Sequence, residues 1–185
     1  MIYPQHIVLD LDNTLIFSTE NMLSERPFDH MIDNLYIYHR PYLEDFFEFC
    51  FENYRSVNIW SHGDWEWINV NLIQILPQCY WNRLGFVHHR EYHKELGSNW
   101  IKDMHQVWDD PYYVEKGLGI RNTIIIDDIP SNHVLHPLNL LSVNPYRGDQ
   151  NDLTLRNIMT QLSQIRYLSD IRDHITMPLK SLRKL

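Results

Sequence analysis

Apolar residues fall along this chain in two rhythms. Four short, nearly continuous runs, Ile7–Leu9, Val57–Trp60, Thr123–Ile126 and Leu140–Val143, read as strands covered on both faces, as in a parallel sheet. Between them the spacing changes to three and four residues. In "RPYLEDFFEFCFENY", Leu43, Phe46, Phe47, Cys50 and Tyr54 share one helical face behind Pro41, which suits a first helical turn. Trp65, Ile68, Leu72 and Ile75 repeat that spacing before Pro77, and Leu155, Ile158, Met159, Leu162 and Ile165 repeat it near the C-terminus. Strands alternating with helices predict an α/β fold, a doubly wound three-layer sandwich around a central parallel sheet. Such folds take ligands beyond the carboxyl ends of the strands.

Two stretches fit that scheme less well. Ser18–His39 predicts a loop carrying a β-hairpin around "NLYIYHRP", and Gln78–Ser98, polar, aromatic and His-rich, predicts a small β insertion. With no repeat, low-complexity tract or linker, a chain of 185 residues reads as a single domain over 1–185 with that insertion.

Composition narrows the function classes. The formal net charge of −8 argues against a nucleic-acid backbone as a broad partner, so direct nucleic-acid binding is not expected. Cys50 and Cys79 are too few for a disulfide framework, which points to a reduced, intracellular setting. Neither begins a Cys-x5-Arg phosphatase loop, because Arg55 and Arg83 follow too closely. No apolar run is long enough for a bilayer, so no membrane partner is expected. A first strand so near Met1 leaves no visible signal peptide. The basic end "KSLRKL" reads as a solvated tail.

Polar residues cluster where the predicted strands end. The first run leads into Asp10-Leu11-Asp12-Asn13-Thr14, the second into Ser61-His62-Gly63 before a helix, and the third into Asp127-Asp128; Lys102 lies in "NWIKD". Like charges such as Asp10 and Asp12 at the end of a buried strand repel each other and lose hydration unless something compensates them. Carboxylates, a hydroxyl, an ammonium and the amides of a helix start suit a divalent cation together with a phosphate. An all-oxygen donor set selects Mg²⁺.

This constellation resembles the haloacid dehalogenase (HAD) superfamily of phosphotransferases. "DLDNTL" matches its Asp-x-Asp-x-Thr signature, and Ser61, Lys102 and Asp127-Asp128 match the later motifs in order. "HRPYLEDFF", "NWIKDM" and "IIIDDIPSNHVLHPLNLLSV" are similar, more narrowly, to the RNA polymerase II C-terminal-domain phosphatases, the small ones above all. The resemblance implies a HAD-like fold and a Mg²⁺-dependent phosphatase working through an aspartyl-phosphate. Asp10 would be the nucleophile and Asp12 the general acid and base. Mg²⁺ would sit on the Asp10 carboxylate, the Asp12 backbone carbonyl and Asp128. Ser61 and Lys102 would hold the phosphoryl oxygens, with Asp127 and Thr14 in support. Trp67 and Arg90 fall where the family has a pocket aromatic and a peptide-binding arginine. The implied partner is a phosphoserine or phosphothreonine protein, such as the polymerase's C-terminal repeat.

There are departures. Ser61 replaces the subfamily's usual Thr, and Asp128 stands where the small phosphatases have Asn. The segment between Asp12 and Arg40-Pro41, which shapes their pocket for the substrate's proline, is shorter. Two other functions therefore stay open: the same chemistry on a small phosphometabolite or a nucleic-acid phosphate end, and a non-catalytic phosphopeptide-binding module. His88, His89 and His93 lack a Cys at zinc-ligand spacing and read as surface or insertion-sheet residues. The pair Trp65 and Trp67 fits core packing as well as a pocket.

Overall fold

A computed structural model describes residues 3–176; the basic end lies outside them. In chain order the elements are β1 (Tyr3–Leu9), β2 (Ile16–Thr19), β3 (His30–Ile32), β4 (Leu35–His39), α1 (Leu43–Asn53), β5 (Tyr54–Trp60) and α2 (Trp65–Ile75). There follow β6 (Leu84–His88), β7 (Lys94–Leu96), β8 (Asn99–Ile101), α3 (His105–Trp108), α4 (Pro111–Glu115), β9 (Thr123–Asp127), β10 (Leu140–Ser142) and α5 (Thr154–Ile165). The central sheet has the order β10-β9-β1-β5-β6, and every pair in it is parallel.

Alternation along the strands explains the three layers. Ile7 and Leu9 of β1 join Val57, Ile59, Ile124 and Ile126 under the apolar faces of α1, α2 and α5. Val8, one residue out of phase, faces the other way and packs with Trp60, Phe86, Met104, Val107 and Trp108. A sheet buried on both sides needs apolar residues in both phases. Phe46 and Phe47 are fully buried on α1, and truncating either to Ala should cost about 3–5 kcal/mol.

Several boundaries differ from those the sequence predicts. Tyr54, expected on the helical face, is extended (φ −108°, ψ 152°); its N–H closes on Cys50 and the chain turns at once into β5. Pro41 lies outside α1, which begins after Tyr42 in the left-handed region (φ 66°). Most importantly, Leu84–His88, expected within the insertion, is the edge strand of the main sheet, paired with β5. Its five residues alternate in burial, the pattern of an edge rather than a central strand, so it lacks the continuous apolar run of its neighbours. Lys94–Leu96 and Asn99–Ile101 form a separate two-stranded hairpin, β7–β8, which turns at Gly97 (φ +64°). The hairpin expected before Arg40 is present as β3–β4, and β2 pairs with it to make a three-stranded sheet. No helix among the described residues is long and apolar enough to cross a membrane.

Candidate active site

The parallel sheet brings the ends of β1 and β9 side by side, with Leu9 opposite Ile126. Asp10 and Asp127 consequently meet although they come from opposite halves of the chain. Between them stands Lys102, whose Nζ donates to Asp10 Oδ1 and to Asp127 Oδ2, both at 2.6 Å. Lys102 is only 1% exposed, and its backbone is fixed by a bond from its N–H to the Asn132 carbonyl at 3.0 Å. Asp127 also takes a bond at 2.9 Å from His133 Nε2, and its other oxygen accepts from the Ile129 amide at 2.7 Å. Thr14 Oγ1 donates to Asp128 Oδ1 at 3.4 Å.

These contacts divide the carboxylates into two kinds. Burial alone would raise Asp127, yet Lys102 and His133 pull it far below the ordinary range. Burial pushes Asp10 up to about 8, with Asp127 and Asp12 adding to the effect against the pull of Lys102. Burial and Asp127 likewise raise Asp128. Burial would lower Lys102, but Asp10 and Asp127 more than offset it and hold the ammonium charged. The one ammonium pairs with Asp10 and Asp127 but not with Asp128, and burial leaves both Asp10 and Asp128 above the ordinary carboxylate range. Oxygens of Asp10, Asp127 and Asp128 lie within 4.8 Å of one another. An all-oxygen set with uncompensated negative charge fits a hard divalent cation.

Asp12 faces the other way. Its Oδ2 accepts from Ser61 Oγ at 3.0 Å and its Oδ1 from the Trp67 indole Nε1 at 2.9 Å. Asn13, in the left-handed region (φ 60°), lets the chain leave β1 sharply enough to present both Asp10 and Asp12 to one cavity. Gly63 allows the indole's approach: a Cβ there would lie 2.4 Å from Trp67 Cδ1. The start of α2, expected to be open to an anion, is already capped by Asp64, whose carboxylate accepts from the Trp67 amide at 2.9 Å. Trp67, which its sequence position suggests as a pocket or core aromatic, therefore also touches Asp12. Nothing in residue spacing announces a hydrogen bond from an indole.

Asp10, Asp12, Trp67 and Arg90 all line a cavity of about 590 Å³, and Leu35 of the three-stranded sheet forms an apolar wall. Ser61 and Lys102 are buried and reach the site through their bonds to Asp12 and Asp10. Arg90 lies on the exposed rim, 3.6 Å from Asp64. A second cavity of about 560 Å³ shares His62 and Arg90 with the first and continues to Trp100 on the β7–β8 hairpin. Of His88, His89 and His93, His88 and His93 are buried rather than at the surface, and His88 ends β6 of the main sheet. His88 stacks on Tyr92, His93 meets Trp60 edge-on and His89 contacts Trp65. None of the three joins a metal-competent cluster among the described residues.

In the sequence, Arg40 stands out only as part of a motif. Its guanidinium is buried, bonds both oxygens of Asp152 at 3.1 and 2.9 Å, and reaches the carbonyls of Thr14 and Asn144 at 3.0 and 2.9 Å. This ties the loop after β1 to the segment before α5, so the carboxylate pair is held by a partner far along the chain.

Known proteins resemble this chain in sequence and in fold. A family model described as NLI interacting factor-like phosphatase matches residues 5–172. The chain is 24% identical over 187 residues to a probable C-terminal domain small phosphatase of Dictyostelium discoideum, covering 91% of this chain and 55% of that one. It is 28% identical over 168 residues to a putative CTD phosphatase-like protein of Invertebrate iridescent virus 6, covering 80% and 89% of the two chains. The solved structure of Fcp1, an essential RNA polymerase II CTD phosphatase, shares the fold with a TM-score of 0.54 at 17% identity, covering 97% of this chain and 54% of that one. The chain thus spans about half the length of the Dictyostelium relative. Because the family match runs from the first strand to the last turn, this chain belongs to the NLI interacting factor-like phosphatase family.

Proposed function

We propose that the chain is a Mg²⁺-dependent protein phosphatase that removes phosphate from serine or threonine through an aspartyl-phosphate. The observation that carries this reading is the opposite anchoring of the two strand-end carboxylates, Asp10 on Lys102 and Asp12 on Ser61 and Trp67. Asp10, lining the cavity, attacks phosphorus, and the bond to the leaving alkoxide breaks as Asp12 supplies its proton. Asp12 then takes a proton from the water that hydrolyses the aspartyl ester. Trp67 can only donate, so it keeps Oδ1 an acceptor and leaves Oδ2 to gain and lose the proton. The Ser61 hydroxyl can rotate to donate to or accept from Oδ2. Lys102 and Ser61 neutralise and orient the transferring phosphoryl group, so the protein's contribution is positioning and charge. Asp10, Asp128 and the Asp12 backbone carbonyl would hold Mg²⁺, which supplies charge neutralisation at the phosphate oxygens.

The cavity continues past Arg90 to an exposed Trp100, which favours an extended peptide over a compact metabolite. The substrate class is therefore a phosphoserine or phosphothreonine segment, the polymerase C-terminal repeat among the candidates. Rates on a panel of phosphopeptides and on p-nitrophenyl phosphate, with Mg²⁺ and with EDTA, test this. The peptides should be preferred and EDTA should stop turnover. Preference for the small substrate, or activity indifferent to EDTA, would overturn it. Mg²⁺ should also raise the Tm, because the acidic cluster it relieves exists only in the folded state.

Trp67→Phe separates positioning from packing. It keeps an aromatic ring but removes a hydrogen bond to a carboxylate worth about 1.5–3 kcal/mol, so kcat on an alkyl phosphate should fall roughly 10–100-fold. The loss should be smaller on an aryl phosphate, whose leaving group needs little protonation. Equal losses on both substrates would show that Trp67 does not act through Asp12.

A further inference from the structure

Beyond Asp127 and His133 lies a second group of ligand-type side chains that the phosphatase chemistry does not use. Asp103 follows Lys102 directly, His105 opens α3, and His136 sits in the turn before β10. Their ligand atoms lie within 4.8 Å of one another. Asp103 Oδ1 accepts from the amide and from Nδ1 of His105, at 3.0 and 2.9 Å, and Oδ2 accepts from Lys94 Nζ at 2.7 Å. Those bonds account for Asp103 and His105 as a turn at the start of α3. They do not account for His136. That residue is 3% exposed, its Nε2 is 3.1 Å from His133 Nδ1, and its Nδ1 is buried with no partner. A buried ring nitrogen left unpaired beside a carboxylate and a second imidazole requires an explanation.

We propose that Asp103, His105 and His136 form a second metal site, one that takes a transition-metal dication of the zinc class. Two imidazoles and a carboxylate are the donor set such ions prefer, whereas Mg²⁺ prefers oxygen alone, so the two clusters select different metals. Two ligand atoms on one zinc ion lie at most about 4.2 Å apart, so a pair at the wide end of the cluster must close slightly. His105 can make that movement because its side chain is 44% exposed, and its exposure also provides the route of entry. Trp108 packs edge-on against His105 and His136, with ring centroids 5.4 and 5.3 Å away, and shields one side of the cluster. Burial holds His136 neutral, its pKa lowered to about 3, which is the form that ligates.

The outer contacts also fit. A metal on Nδ1 leaves the His136 proton on Nε2, where it is donated to His133 Nδ1. The proton of neutral His133 then lies on Nε2 and is donated to Asp127 Oδ2, 2.9 Å away. A ligating imidazole with its other nitrogen bonded in this way is the usual outer-shell support of a metal site. The ion would thus fix both tautomers in a chain that ends on the carboxylate holding Lys102.

Titration of untagged protein with Co²⁺ tests the proposal, since imidazole-bound Co²⁺ of low coordination number absorbs in the visible far more strongly than the hydrated ion. Wild type should show this band at one equivalent, with Zn²⁺ displacing it. The band should persist in Asp10→Asn/Asp128→Asn, which dismantles the oxygen cluster, and vanish in His105→Ala. Because His105 is half-exposed, that variant should keep its fold and circular dichroism spectrum. Absence of the band in wild type, its survival in His105→Ala, or its loss in the Asp10→Asn/Asp128→Asn protein would each overturn the second site.

Discussion

Asp10→Asn should abolish turnover while leaving a folded protein. An amide is a poor nucleophile towards phosphorus, and the neighbouring carboxylates are engaged elsewhere: Asp12 is bound to Ser61 and Trp67, and Asp127 is committed to Lys102 and His133. In metal-free protein at neutral pH the variant should be no less stable than wild type. The sign follows from the raised pKa. Below the ordinary carboxylate range the group is protonated in both folded and unfolded chains and makes no difference. As the pH rises towards about 8, the unfolded chain ionises first and wild type loses stability. The amide escapes that loss. Single-turnover assays and urea unfolding at about pH 5 and about pH 7.5, on either side of most of that interval, check both halves. Residual turnover in the folded variant would remove Asp10 from the reaction, and a clear loss of stability at the higher pH would show that Lys102 outweighs burial.

Lys102→Met should bring a large loss of both stability and activity. Among the described residues the ammonium is the sole cation paired with Asp10, and it shares Asp127 with His133. Methionine fills similar volume but leaves the carboxylates facing each other in a buried setting. Removing one partner of a buried ion pair costs about 3–5 kcal/mol, a large part of the roughly 5–15 kcal/mol typical of a whole domain. Catalysis should disappear with it, because the phosphoryl group loses its buried countercharge. Denaturant midpoints for wild type, Lys102→Met and Lys102→Met/Asp10→Asn measure this. The double variant should recover part of the loss, since an amide neither is buried ionised nor takes up a proton on folding. An unchanged midpoint in Lys102→Met would mean that the lysine is held by packing alone.

Much of the site is legible in the sequence because the chemistry lies in local motifs. Asp10, Asp12 and Thr14 sit within a few residues of one another, Asp127 and Asp128 are adjacent, and the apolar runs before them have the continuous character that burial on both faces requires. Those features predict the parallel sheet, the placement of charge at strand ends and the need for a counterion. Tertiary structure decides what depends on contact between distant segments. The β1–β9 register sets Asp10 against Asp127 with Lys102 between them, so that Asp127 is held well below the ordinary carboxylate range while burial keeps Asp10 and Asp128 above it. β6 joins the sheet through pairing with β5, although an edge strand shows only alternating burial and its sequence resembles an insertion. The indole of Trp67 reaches Asp12 because Gly63 leaves room for it, and Arg40 braces the loop after β1 through Asp152, 112 positions away. Composition and spacing specify which side chains are present and which face of an element they occupy. Which groups share a proton, a charge or a metal is settled only when the folded sheet brings segments from opposite ends of the chain within hydrogen-bond distance.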